Sequence, residues 1–157
     1  MLAALMFASR VVMAALPNIH LIGMLTMTYT LALRKRALIP LYIYVLLEGI
    51  FGGFATWWVP YLYVWAILWG VTMLLPKDIK GRWKHIVYPA VCCLHGLLFG
   101  TLYAPVYAIL MGMSFRAMLA WIVSGLPFDA IHAAGNLATG FLIVPLSELV
   151  SRLSERR

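Results

Sequence analysis

The sequence predicts an all-α integral membrane fold: six transmembrane helices, a short interfacial helix before the last, and both termini on the cytoplasmic side. Three observations carry this expectation. The 157 residues are 64% hydrophobic with a mean hydropathy of +0.95, and only 11% are charged, a balance far from that of a soluble domain. Apolar runs recur along the whole length, so residues 1–157 read as a single membrane-embedded domain. The alternating pattern that a membrane β-barrel needs is missing. Finally, ten of the twelve Lys and Arg residues fall in clusters at 34–36, 77–84 and 152–157. A six-span path puts all three clusters on one side, which the positive-inside rule makes cytoplasmic. This clustering accounts for the net charge of +7 as membrane topology and not as a nucleic-acid surface.

The first run, residues 2–16, is expected as a retained helix. Arg10 interrupts its apolar core, and Pro17-Asn18 is not a small-residue cleavage site. The second run, 19–33, stops at Arg34-Lys35-Arg36. Both runs are short for a bilayer, since 15 helical residues span only about 22 Å. The third, 37–56, spaces Gly49 and Gly53 four apart as a close-packing face. The fourth, 58–75, leads into the polar loop at 76–84. The fifth, 85–111, contains Pro89 and Pro105, where kinks are expected, and a second spaced pair, Gly96 and Gly100. Residues 114–124 read as a separate amphipathic piece too short to span, with Arg116 and Trp121. Gly125-Leu126-Pro127 then reads as a break, and Pro127, suited to a first helical turn, opens the sixth span, which runs to Val150.

That last span carries Asp129, His132 and Asn136 at spacings that put a carboxylate, an imidazole and an amide on one helical stripe. Counted from the helix ends, Arg10, Glu48 and Asn136 all lie in the outer half of the bilayer, with Asp129 and His132 above them. Ionisable groups there must be paired or face a wet cavity. Two readings stay open for Arg10 and Glu48: an ion pair that fixes packing, or contact with a ligand. Two are open for the stripe as well, since Asp129 can cap a helix while His132 bonds a neighbour, or all three can line a cavity. The aromatic residues Trp57, Trp58, Tyr61, Tyr63 and Trp65 crowd the outer part of the fourth span, and Trp58, Tyr61, Trp65 and Trp69 share one face. They suit an interfacial belt or, because the stripe runs about three turns inward, a stacking wall for a planar ligand.

Enzyme signatures are missing from the sequence. No phosphate-binding Gly-rich loop, Gly-x-Ser-x-Gly elbow or His/Cys metal spacing occurs, so neither a cofactor nor a metal is expected. Cys92 and Cys93 are adjacent and offer no ordinary disulfide. His85 and His95 read as structural.

The six short helices, the basic cytoplasmic loops, Pro17-Asn18 after an Ala-rich first helix, and the final Pro-Phe-Asp-x-Ile-His-x-x-x-Asn (127–136) resemble the substrate-binding S components of energy-coupling factor (ECF) vitamin transporters. Tyr44-Val-Leu-Leu-Glu-Gly49, the Trp57-Trp58 turn and Tyr61-Leu-Tyr-Val-Trp65 add to the resemblance, which covers nearly the whole chain. It implies a micronutrient binder in the bacterial cytoplasmic membrane, with no chemistry of its own, that docks on a coupling transmembrane protein and two ATPases. Ala4 and Ala8 match the Ala-x-x-x-Ala spacing through which that family's first helix meets the coupling protein. By the same resemblance, Asn18 and His20 line the ligand site from the first loop, Trp57, Trp58 and Tyr61 from the third, and Trp121 and Arg116 from the fifth. Glu48 and Asp129 would accept hydrogen bonds from an amine-bearing ligand, thiamine-like or a queuosine precursor, while His132 and Asn136 orient its ring and Trp65 extends the wall. Two other classes stand beside this reading. An ion-coupled transporter would titrate Glu48 or Asp129, but no internal repeat is visible. A membrane enzyme would use Asp129 and His132 as an acid–base pair, but lacks a nucleophile beside them.

Overall fold

A computed structural model describes residues 1–76 and 79–155, and within them the chain forms helices and turns without a strand. Lys77, Arg156 and Arg157, three of the cations in the charge count above, lie outside the described residues. The α-helices are α1 (Leu2–Val12), α2 (Ile22–Leu33), α3 (Leu38–Gly52), α4 (Tyr61–Leu74), α5 (Lys84–Leu97), α6 (Phe99–Leu110), α7 (Phe115–Gly140) and α8 (Ile143–Glu155). Two stretches, Gly81–Leu110 and Phe115–Gly140, are long and apolar enough to cross a membrane; Leu2–Ala15 and α4 are shorter apolar helices.

Helix α2 is the hub. Every residue from Ile22 to Thr30 is buried, as expected of a helix that is apolar all round and enclosed by others. It packs on α1, α4, α5, α7 and α8, and the core gathers around it from Met6, Leu41, Tyr44, Trp65, Leu68, Cys92 and Ile143. Of its threonines, Thr30 is satisfied by the backbone, Oγ1 donating to the Thr26 carbonyl at 2.6 Å. Arg34 ends α2 in a left-handed conformation (φ 54°). Two ties to α4 hold this sterically costly turn: Arg34 donates to the Met73 carbonyl at 3.3 Å, and its own carbonyl accepts from Trp69 Nε1 at 3.2 Å. Trp69 therefore serves this end of the bundle and takes no part in an aromatic wall at the other.

The second organising unit is an antiparallel hairpin between α5–α6 and α7–α8. Its register is set by Lys84–Glu148 (2.9 Å) at one end, then Pro89 against Gly140, Gly96 against Ala133, and Gly100 against Asp129. The glycines make the approach possible. A Cβ on Gly96 would lie 3.0 Å from Ala133 backbone atoms, and one on Gly140 would lie 2.7 Å from Pro89 Cα, so any side chain there would push the helices apart. The spaced pair at 96 and 100 is thus a packing face. The pair at 49 and 53 divides: Gly49 lies beneath the Phe54 ring, whereas Gly53 faces open space and takes φ 87° to end α3.

The expected break before Pro127 does not occur. Residues 114–124 are no separate interfacial helix; they are the first turns of α7, which Ser114 caps by accepting the Ala117 N–H at 3.2 Å. Pro127 lies inside that helix on its exposed side. A proline there removes one backbone bond and bends a helix without having to end it. The interruption falls instead at Phe141 and Leu142. Pro145, the third residue of α8, has no N–H to continue the ladder back to Phe141, and its place in a first turn requires none.

Candidate functional site

Away from the Lys84–Glu148 end, the loop after α1, the turn before α4, the α5–α6 junction and the first half of α7 enclose two adjoining cavities. The inner one, about 190 Å³, is lined by Arg10, Asn18, His20, Tyr61, Asp129 and His132 among others. The outer one, about 430 Å³, is an aromatic groove walled by Trp57, Tyr61, Phe99, Tyr103, Tyr107 and Trp121. Asn18, Tyr61, Phe99 and Asp129 belong to both, so the two spaces meet at these side chains.

Asp129 is held by the helix junction. The step from α5 to α6 at Leu98 frees the Gly100 N–H, which donates to Asp129 Oδ1 at 3.0 Å. Asp129 therefore satisfies a first-turn donor of α6 from a neighbouring helix. A Cβ on Gly100 would come within 2.5 Å of Oδ2, so only glycine leaves room for the carboxylate. Oδ2 itself is buried and without a hydrogen-bond partner. One turn on, His132 is 3% exposed, and its ring meets His20 at 4.5 Å and Phe99 at 5.0 Å between centroids. His132 Nε2 and His20 Nδ1 are likewise buried and unpartnered. Asn136, fully buried, completes the stripe, but Nδ2 donates to the Cys92 carbonyl at 3.0 Å. It lies below the cavities and joins α7 to α5.

The loop between α1 and α2 reaches the site because Asn18 adopts φ 58°, a left-handed conformation that asparagine tolerates better than most residues. Arg10 lines the inner cavity half-buried and makes no hydrogen bond or ion pair with any described residue. Among the described residues the one ion pair within 4.0 Å is Lys84–Glu148. Arg10 and Glu48 are thus close enough to interact electrostatically but are not a salt bridge. Glu48 is buried beside Tyr44, outside both cavity linings, with Oε1 unpartnered.

The aromatic residues separate into three roles. Trp57 and Tyr61 stand on the groove wall with rings 5.6 Å apart. Trp65, 1% exposed, sits beneath the site as a floor, 5.9 Å from Tyr61 and 5.7 Å from His20. Trp58 turns away and donates Nε1 to the Val45 carbonyl at 2.7 Å. Trp121 stacks on Tyr103 at 6.0 Å with planes 16° apart, whereas Arg116 is exposed and outside the linings. Tyr103 also donates to the Trp57 carbonyl at 2.6 Å, which ties the α3–α4 turn to α6. His95 has Nε2 3.1 Å from the Val64 carbonyl and joins α5 to α4.

Phe99, Tyr103 and Tyr107 enter the site without having been singled out by the sequence reading. Their signal was present: with His95 they recur every four residues and so share one helical face. Ala4 and Ala8 are both exposed on α1, away from the cavities. At the opposite end of the bundle a wider cleft of about 670 Å³ is lined by Arg34, Lys80, Lys84 and Glu148 among others, and among the described residues no unpartnered buried polar atom belongs to its lining. Among the described residues no three His, Cys, Asp or Glu side chains are grouped as metal ligands. Comparisons of the chain with protein-family models, with curated proteins and with solved structures give no significant match.

Proposed function

We propose that this chain is the substrate-binding S component of an ECF-type importer in the bacterial cytoplasmic membrane. It captures a small aromatic or heterocyclic micronutrient in the outer half of the bilayer and delivers it to a coupling transmembrane protein and two ATPases. In this reading the six passes are α1, α2, α3, α4, α5 with α6, and α7 with α8, and both termini are cytoplasmic. Large apolar side chains left exposed around the bundle, such as Val12, Ile39, Phe51 and Ile109, suit contact with lipid. Ala4 and Ala8 offer the coupling protein a surface of small residues.

The observation that carries the proposal is the polar chamber adjoining an aromatic groove, lined by Asp129, His132 and His20, whose buried Oδ2, Nε2 and Nδ1 atoms are all unpartnered. Buried polar atoms are ordinarily satisfied, so three around one space point to a ligand that satisfies them. An apolar pocket with a few convergent polar groups is the usual form of a small-molecule site. To test this, the purified chain is denatured and the released small molecules are identified by mass spectrometry. One aromatic or heterocyclic compound is expected, and its cellular uptake should stop when the ATPases are inactivated. Uptake of that compound by the chain alone in liposomes, driven by an ion gradient, would instead identify an autonomous transporter.

A further inference from the structure

Arg10 stands apart from the other charges of this bundle. It is half-buried, lines the inner cavity and has neither a hydrogen-bond nor an ion-pair partner among the described residues. Glu48, one of whose two readings is an ion pair with Arg10, is more than 4.0 Å away and outside the cavity wall. Asp129 stands on the boundary between chamber and groove, 6% exposed, with one oxygen spent on Gly100 and the other free. The two adjoining cavities therefore present an aromatic wall, a carboxylate that accepts and a guanidinium that donates.

We propose that the ligand is an aromatic zwitterion of the aromatic amino-acid type. Its ring lies in the groove walled by Trp57, Tyr103 and Trp121, its ammonium group meets Asp129, and its carboxylate meets Arg10 in the chamber. The inference deepens, and rests on, the reading of these cavities as a ligand site. It also changes the ligand class from that expected of two acids, because Glu48 is not on the wall and Arg10 is. Arg suits the carboxylate end of such a ligand: its planar donor fork matches a carboxylate and stays charged when partly desolvated. Asn18, Tyr61 and Phe99, shared by both cavities, surround the amino-bearing carbon. His20 and His132 offer ring nitrogens to the carboxylate oxygen that Arg10 leaves free.

The test uses the full chain in detergent and four indoles that carry both, one or neither of the two ionic groups: L-tryptophan, tryptamine, indole-3-propionate and indole, each titrated calorimetrically. L-tryptophan is expected to bind at least about tenfold tighter than the other three, the size of one charge-assisted hydrogen bond. Arg10→Met should lose about tenfold for L-tryptophan and indole-3-propionate while tryptamine binding holds, which also reports that the variant is folded. Asp129→Asn keeps the acceptor for Gly100 and should show the reverse, losing L-tryptophan and tryptamine but not indole-3-propionate. Equal binding of L-tryptophan and tryptamine, indifference of L-tryptophan binding to Arg10→Met, or no binding of any indole would each overturn the proposal. ATPase-dependent uptake of a co-purified compound would survive such a result, so the ligand class and the importer reading fail separately.

Discussion

Asn18 and Gly100 are two residues whose backbones make the site possible, and each yields a direct test. Asn18 holds the α1–α2 loop over both cavities at φ 58°. Asn18→Ala is expected to destabilise the protein by about 1 kcal/mol, the cost of a left-handed residue with an unhelpful side chain, and Asn18→Gly by a few tenths at most. Thermal unfolding in detergent reads the difference; equal melting of the two variants would show that this conformation is unimportant. Gly100→Ala would set a methyl group against Asp129 Oδ2, so about 1–3 kcal/mol of destabilisation is expected from overpacking. The Asp129, His132, Asn136 stripe was legible because helical periodicity alone puts these residues on one face, and all three are buried there. Their division of labour was not legible. Whether a buried amide spans two helices, as Asn136 does to Cys92, depends on a neighbour 44 positions away.

Among the elements, α7 departs most from its expected form. Gly125-Leu126-Pro127 carries the residue types of a boundary, yet all three lie inside one helix of 26 residues. Propensity is a weak prior beside tertiary contact: α7 packs along α5 and α6, and a proline on its outer side forfeits one bond while those contacts persist. Pro127→Ala should therefore restore a backbone bond to Val123 and leave the melting temperature unchanged or higher. A fall equivalent to more than about 1 kcal/mol would show that the proline-induced bend is itself required. The α5–α7 seam behaves oppositely. Gly96→Val is expected to cost more than about 2 kcal/mol, because the new side chain would meet Ala133 backbone and Asn136. Proteolysis or loss of monodisperse elution would report the failure. The Gly96 and Gly100 spacing foretold this seam, whereas the identical spacing of Gly49 and Gly53 led to a different use, since spacing does not say what lies opposite.

At the scale of the whole molecule, the proposed topology is open to labelling from either side of the membrane. In a background with Cys92 and Cys93 replaced by Ala, Ala55→Cys in the α3–α4 turn should react with an impermeant maleimide added to intact cells. Ser154→Cys near the end of α8 should react only after the membrane is opened. Both positions are exposed, so the same labelling on one side for both would contradict six passes with cytoplasmic termini.

The sequence by itself determined the helical class, because its long apolar runs lack the alternation that strands require. It also determined the polar stripe of α7 and the aromatic crowding near α4, since both are local periodicities. Only the tertiary structure decided which groups meet. Arg10 and Asp129, far apart along the chain, line one chamber, while Glu48, matched to Arg10 by depth, stays outside it. Depth follows from residue count along one helix. The rotation of that helix about its axis is set by what packs against it, here α2 and the glycine-lined seam of the α5–α7 hairpin.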